Sequence, residues 1–211
     1  MRIALDFREF VKWKFKAARY HLQRAKHLYL DNFSFVHINR TAGSSVRKAL
    51  GFHGDHKTAL EKIKYMGKKR WNKKFTFTIV RNPFDKVVSH YCYRIRTNQL
   101  NMRVDNISFK EWVHLTYDRK DKKYYDIHRM FMPQCDWISD KNGNVIVDYI
   151  CRYENLREDF AYVCNEIDVD VTLPRTNATE HDHYYKYYDN YTQKVINSWF
   201  KKDIKKFGYK F

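Results

Sequence analysis

One pattern, written twice, narrows what this chain can fold into more than anything else. Phe33 to Ser45 reads FSFVHINRTAGSS, and Phe75 to Arg94 reads FTFTIVRNPFDKVVSHYCYR. Each begins with a short apolar and β-branched run, the signature of a buried strand. The first breaks at Asn39-Arg40-Thr41, crosses Gly43 and enters a helix through Ser44 and Ser45; the second breaks at Asn82-Pro83, and Pro83 opens a helix over Phe84–Arg94. A strand, a tight polar turn and a helix start bring unpaired backbone N–H groups and the positive end of a helix to one place, which suits an anion. Such loops gather beyond the carboxyl ends of strands, and neighbouring strands lie only about 4.8 Å apart. Two of them can therefore hold two phosphates of one nucleotide. Taken alone, the first stretch equally fits an ordinary strand-to-helix turn capped by serine.

The rest of the chain alternates in the same way. The spacing predicts helices over residues 6–30, Val46–Leu50, Thr58–Met66, Phe109–Leu115, Tyr153–Ile167 and Asn190–Phe207. WISDKNGNVIVDYI, with Asn142-Gly143 between apolar runs, predicts a hairpin. Strands alternating with helices give an α/β fold: a three-layer, P-loop-like domain with a mainly parallel central sheet flanked by helices. We expect residues 1–30 to form an amphipathic helix packed on the domain and 31–211 to form the domain itself. In that helix Phe7, Val11, Phe15, Ala18, Leu22, Ala25 and Tyr29 recur at spacings of three and four, and lysines and arginines cover other faces. The same pattern fits a basic helix resting on an anionic membrane.

Both loops of HINRTAGSS…IVRNPFDKVVSHY resemble the paired motifs of sulfotransferases that use 3′-phosphoadenosine-5′-phosphosulfate (PAPS). The likeness is greatest to the carbohydrate branch, whose motifs run like HIPKTGGTS and VRNPxDRxVSxY. It extends from about Phe33 to the C-terminus, through DYICRYENL and FGYKF. The resemblance implies that Arg40, Thr41, Ala42, Gly43, Ser44 and Ser45 cradle the 5′-phosphosulfate, that Arg81 and Ser89 hold the 3′-phosphate, and that Arg152 and Arg175 sit in loops closing over the nucleotide. It implies PAPS as donor and the bisphosphate PAP as product, with no bridging metal. Arg40 stands where the family usually has lysine, and arginine supplies charge but hardly a proton. His56, in FHGDHKTAL, resembles the catalytic histidine, with His53 as the second candidate base and Asp55 to orient either. His37 reads as a core residue, while His90, His128, His181 and His183 could face the acceptor.

Composition agrees with an anionic partner without choosing one. There are 41 Lys and Arg against 24 Asp and Glu, a formal net charge of +17. A phosphosulfate donor, nucleic acid, lipid or an acidic glycan would all answer to it. With the motifs, a hydroxyl acceptor, an anionic or extended glycan, is expected rather than nucleic acid; a non-enzymatic or inactive polyanion-binding protein of the same fold is the alternative. A metabolite kinase is disfavoured, because Asp148 resembles a Walker-B aspartate but no P-loop lysine accompanies it. No run of about twenty apolar residues marks a transmembrane anchor, and no signal peptide is evident, so a soluble cytoplasmic protein is expected. Cys92, Cys135, Cys151 and Cys164 lack metal spacing and read as reduced thiols. Five N-x-S/T triplets occur; one lies in the Arg40 loop, where a glycan would block the site.

Overall fold

The computed structural model describes residues 7–52, 54–174 and 181–211. Three parallel strands form the sheet in the order β1 (Phe33–Val36), β2 (Phe75–Val80), β3 (Tyr149–Arg152). Phe35 pairs with Phe77 and Ile79 with Cys151, so all three strands end at one edge. Every residue of β1 is buried, as expected of a parallel strand covered on both faces.

Alternation along the strands divides the core. Phe33, Phe35, Phe77, Ile79 and Cys151 face one side, against Val46 of α2 (Gly43–Leu50) and Phe160 and Val163 of α8 (Leu156–Glu166). Val36 and Val80 face the other, against α3 (Ala59–Met66), α4 (Lys68–Trp71), α7 (Gln134–Ile138) and α10 (Lys201–Phe207). This is the expected sheet between helical layers. A third, aromatic core lies beyond the strand ends, where α5 (Pro83–Arg96), α6 (Phe109–Val113) and α9 (Asn190–Trp199) pack around Trp112, Phe131 and Phe200. The free thiols of Cys135, Cys151 and Cys164 are buried, and that of Cys92 half-buried. No helix among the described residues is long and apolar enough to cross a membrane.

Three expectations about elements change. The hairpin is replaced: Trp137 and Ile138 belong to α7, and only one antiparallel bridge, Ser139 to Val145, spans the Asn142-Gly143 turn. The chain is redirected by Asp148, whose carboxylate accepts from the Thr76 backbone N–H at 2.8 Å and its hydroxyl at 2.7 Å. That exchange lays Tyr149–Arg152 parallel to β2. The last helix is not continuous but breaks at Phe200, which is fully buried, so that Asp203 on α10 can accept from the N–H groups of Gln134 and Cys135 at 2.7 and 2.8 Å. Those are orphan donors of the first turn of α7. The helix expected over Phe109–Leu115 is regular only to Val113 and runs on past its expected end as a wider π-type turn over His114–Asp118.

The long N-terminal helix α1 (Phe7–Tyr29) reaches the domain through His27, whose ring stacks on Phe52 at 4.7 Å and whose Nδ1 lies 3.0 Å from Asp31. Between α1 and α2 runs an open groove of about 700 Å³, lined by Trp13, Lys16, Arg19, Ser44, Arg47 and Phe52 among others.

Candidate active site

The loop after β1 is held in a conformation that its sequence does not favour. Arg40 and Ala42 both take left-handed backbone angles, φ 64° and 61°. Neither is glycine, so each costs about 1–2 kcal/mol. Alternating left-handed residues turn successive N–H groups inward and form an anion-binding nest. Ala42 caps α2 with its backbone, its carbonyl accepting from Ser45 N at 2.9 Å, so Ser44 and Ser45 lie inside the first turn rather than at the cap. Thr41 is tied inward, its hydroxyl donating to the Ile38 carbonyl at 2.9 Å. Gly43 is required by close approach: a Cβ there would stand 1.9 Å from Cδ2 of His37.

The second loop leans on the first. Arg40 Nε and Nη2 both donate to the Ser89 hydroxyl, at 3.2 and 3.0 Å, and the Arg40 guanidinium lies over the Tyr93 ring at 4.6 Å. Arg81 Nη1 donates to the Arg40 carbonyl at 3.2 Å. Its Nε donates to Asp85 at 2.7 Å, its guanidinium covers Tyr153 at 4.0 Å, and its Nη2 is 3.5 Å from His181 Nε2. The strand-end ion pair with Asp85 is thus present together with contact to the first loop. Gln134 fixes the Arg81 backbone, accepting from its N–H at 2.9 Å and donating to its carbonyl at 2.8 Å. Arg40, Arg81 and Ser89 are therefore one connected cluster.

Burial makes the cations of this cluster costly to keep charged. Burial, and then the neighbouring Arg81, push the Arg40 guanidinium down to about 10. Lys86, one turn into α5, is wholly buried; burial pushes its ammonium down to about 8 against the opposing pull of Asp203, with Arg40 and Arg81 adding to the lowering. Buried cations lowered first by burial and then by cationic neighbours are relieved by an anion. The residues present therefore fit a phosphate or sulfate-bearing group. Among the described residues no group of three or more His, Cys, Asp or Glu could hold a metal ion.

His56 lies beside the first loop. Its Nδ1 is 3.0 Å from the His37 carbonyl, an atom that can only accept, so Nδ1 carries the proton and Nε2 the lone pair. Its ring is 4.2 Å from that of His37. Burial, first of all, lowers its pKa, with Arg47 and Arg129 acting in the same direction and the hydrogen bond to His37 opposing them. A neutral imidazole with a defined lone pair can accept a proton at neutral pH. Asp55 does not touch His56 by any described hydrogen bond; its carboxylate is paired with Lys57 and with Lys62, the latter at 3.5 Å.

Other expected residues lie apart. Arg152 extends β3 beside Val80, but its Nη2 donates to the Phe207 carbonyl at 2.6 Å and its guanidinium rests on Tyr209, so its side chain ties the C-terminal helix to the sheet. His90 is buried in the aromatic core, its Nε2 accepting from Arg94 Nε at 3.3 Å. His53 and Arg175 lie outside the described residues. Sequence reasoning named Asp85 as an ion-pair partner for Arg81 but missed Lys86, Tyr93, Tyr153 and Gln134. Spacing along the helix after β2 could have pointed to Lys86 and Tyr93, three and four residues from Ser89; Gln134 and Tyr153 arrive from distant elements.

Parallel α/β topology and twin strand-loop-helix units with a cation cluster between them define a class of α/β domain whose two loops meet at a place suited to an anion. The match of residues 9–210 to the model of the sulfotransferase family says which: the chain belongs to that family. The match takes in nearly all of α1 as well as the sheet domain. An uncharacterized protein of Archaeoglobus fulgidus is 38% identical over 122 residues, which is 57% of this chain and 91% of that protein. No solved structure matches.

Proposed function

We propose that this sulfotransferase carries a sulfuryl group from PAPS to a hydroxyl of an anionic carbohydrate. The observation that carries the reading is the buried Arg40–Arg81–Ser89 cluster, which joins two strand-loop-helix units by direct hydrogen bonds and sets two guanidiniums close together. The backbone N–H groups of the 40–45 loop, with Ser44 and Ser45, take the 5′-phosphosulfate, while the buried Thr41 hydroxyl, spent on Ile38, braces the loop; Arg81 and Ser89 take the 3′-phosphate. Ser89 Oγ has both lone pairs directed to Arg40, so its remaining capacity is to donate, which suits a phosphate oxygen. Bound PAPS supplies an activated sulfuryl group on a good leaving phosphate. In this family's chemistry position and charge supply most of the rate. His56 Nε2 accepts the proton of the attacking hydroxyl. Arg40 meets the charge growing on the leaving oxygen as a cation only. Residues 31–211 form the catalytic unit.

The groove between α1 and α2 suits the acceptor. It begins at Ser44, presents Trp13 as an apolar platform and carries Lys16, Arg19, Arg47 and Lys48. Sugar faces stack on aromatics, and carboxylates or sulfates pair with arginine and lysine. The reading is tested by incubating the protein with sulfur-labelled PAPS and a panel of neutral and acidic glycans. Label is expected on acidic glycans, at rates lost in His56→Ala and with a raised KM in Lys16→Ala/Arg19→Ala. Transfer confined to non-carbohydrate hydroxyls, or a rate untouched by His56→Ala, contradicts it.

A further inference from the structure

The apolar stripe of α1 does not face the domain. Val11 is half-buried, but Phe15, Ala18, Leu22, Ala25 and Tyr29 are exposed, Phe15 to 73% and Leu22 to 71%. These residues recur every three or four positions and so lie along one side of the helix. The groove wall is the other side, formed by Trp13, Lys16, Ala17, Arg19 and Gln23. At 100° per residue, Lys14 flanks the stripe on one edge, and Lys12, Arg19 and Lys26 flank it on the other. The helix carries seven Lys or Arg and one acidic residue, Glu9.

The geometry points to an occupant: α1 lies on the surface of an anionic lipid bilayer, with Phe15, Leu22 and Tyr29 in the acyl boundary and the flanking lysines on the headgroups. A stripe of this kind has two usual partners, a second helix or a membrane surface. Charge decides between them. Pairing two copies of α1 would set basic edges against basic edges, with Glu9 alone to oppose them. Anionic headgroups complement both edges at once, and lysine stems long enough to reach outward let the apolar side settle deeper. Tyr29, at the end of the stripe and under the Arg70 guanidinium at 4.9 Å, has the amphipathic ring that favours a bilayer interface. The inference does not depend on the donor or acceptor of the reaction.

The test is sedimentation of the full chain with vesicles of phosphatidylcholine alone and of phosphatidylcholine mixed with phosphatidylglycerol, at low and high salt. Binding to the mixed vesicles is expected, weak on neutral ones and reduced by salt. Phe15→Ser/Leu22→Ser and Lys12→Glu/Lys26→Glu should each lower the partition coefficient by at least about tenfold. Phe15 and Leu22 point outward, so thermal unfolding should be unchanged in that variant; Lys26→Glu also breaks the 3.5 Å pair with Asp31, so its binding is read at a temperature where circular dichroism shows the native fold. Equal binding to neutral vesicles overturns the proposal. So does retention by the Phe15→Ser/Leu22→Ser protein, which would mean simple adsorption of a chain of net charge +17. Light scattering that finds a dimer in the parent and a monomer in that variant overturns it in favour of a second copy.

Discussion

Arg40 and Ser89, forty-nine residues apart in the chain, share two hydrogen bonds, from Nε at 3.2 Å and Nη2 at 3.0 Å to one hydroxyl. The contact joins the loop after β1 to the helix after β2, so the two strand-loop-helix units are held to one another. Arginine reaches across because its forked donors sit at the end of a long stem, where lysine would offer a single point charge.

Ser89→Ala removes that junction and one donor to the ligand. PAP affinity is expected to fall by about tenfold, the loss of one hydrogen bond to a charged group. Arg40→Ala removes a charge aimed at the reaction, and turnover is expected to fall by about 10²–10³-fold. Arg40→Lys, which keeps the charge but loses the fork, should retain more turnover than Arg40→Ala. Steady-state kinetics with calorimetry of the product complex separates the two effects.

Gly43→Ala places a methyl group inside the His37 ring. His37 is buried between Phe35, 5.6 Å away, and His56, so it has no open space to enter. A loss of about 1–3 kcal/mol of stability is expected from the overpacking. His56 is displaced with it, since its Nδ1 depends on the His37 carbonyl. Denaturant unfolding should show the destabilisation, and activity measured below the unfolding transition should be reduced as well.

The rate should depend on pH through His56. Burial holds its imidazole below the usual histidine value, so in the role proposed for it the ring is neutral and able to accept a proton at pH 7. Activity is expected to be full above pH about 6.5 and to fall as pH drops through the lowered value. A pH profile of kcat/KM reads this limb directly. His56→Ala should remove the limb along with most of the rate.

Stability should also fall in acid. Burial, with His56 as the leading charged neighbour, holds His37 well below its ordinary value, and burial with Arg94 beside it does the same to His90. Their folded forms resist protonation while the unfolded chain accepts it near pH 6.5. The unfolded state then binds more protons, so stability rises with pH across that window and is lost as pH falls below it. Each group contributes about 1 kcal/mol per pH unit. Thermal unfolding at pH 7.5 and 5.5 should therefore differ in the parent and differ less in His90→Phe, provided that variant keeps the native fold by circular dichroism.

The sheet and both anion loops were legible because their signals are local. FSFV and FTFTIV are short, aromatic and β-branched runs that favour a buried strand, and Asn82-Pro83 marks a helix start by backbone chemistry. What was not legible depends on distant partners. Nothing near Asn142-Gly143 announces that Asp148 will exchange bonds with Thr76, and so the hairpin gave way to a parallel edge strand. Nothing near Phe200 announces that Asp203 will cap α7. In the site, Arg40, Arg81 and Ser89 were named from motif positions, whereas Gln134 and Tyr153 come from remote elements. Periodicity located the apolar stripe of α1, but periodicity is silent on which way a stripe faces.

The central claim is that the Arg40–Arg81–Ser89 cluster is a metal-independent site for a bisphosphorylated nucleotide. Titration calorimetry of PAP in EDTA, with the parent and Arg81→Ala, tests it most directly. The account predicts micromolar binding to the parent, tighter than that of ATP, and a loss of about tenfold or more in Arg81→Ala. Binding that requires magnesium, or that equals ATP and ignores Arg81→Ala, would contradict it and leave a general polyanion surface in its place.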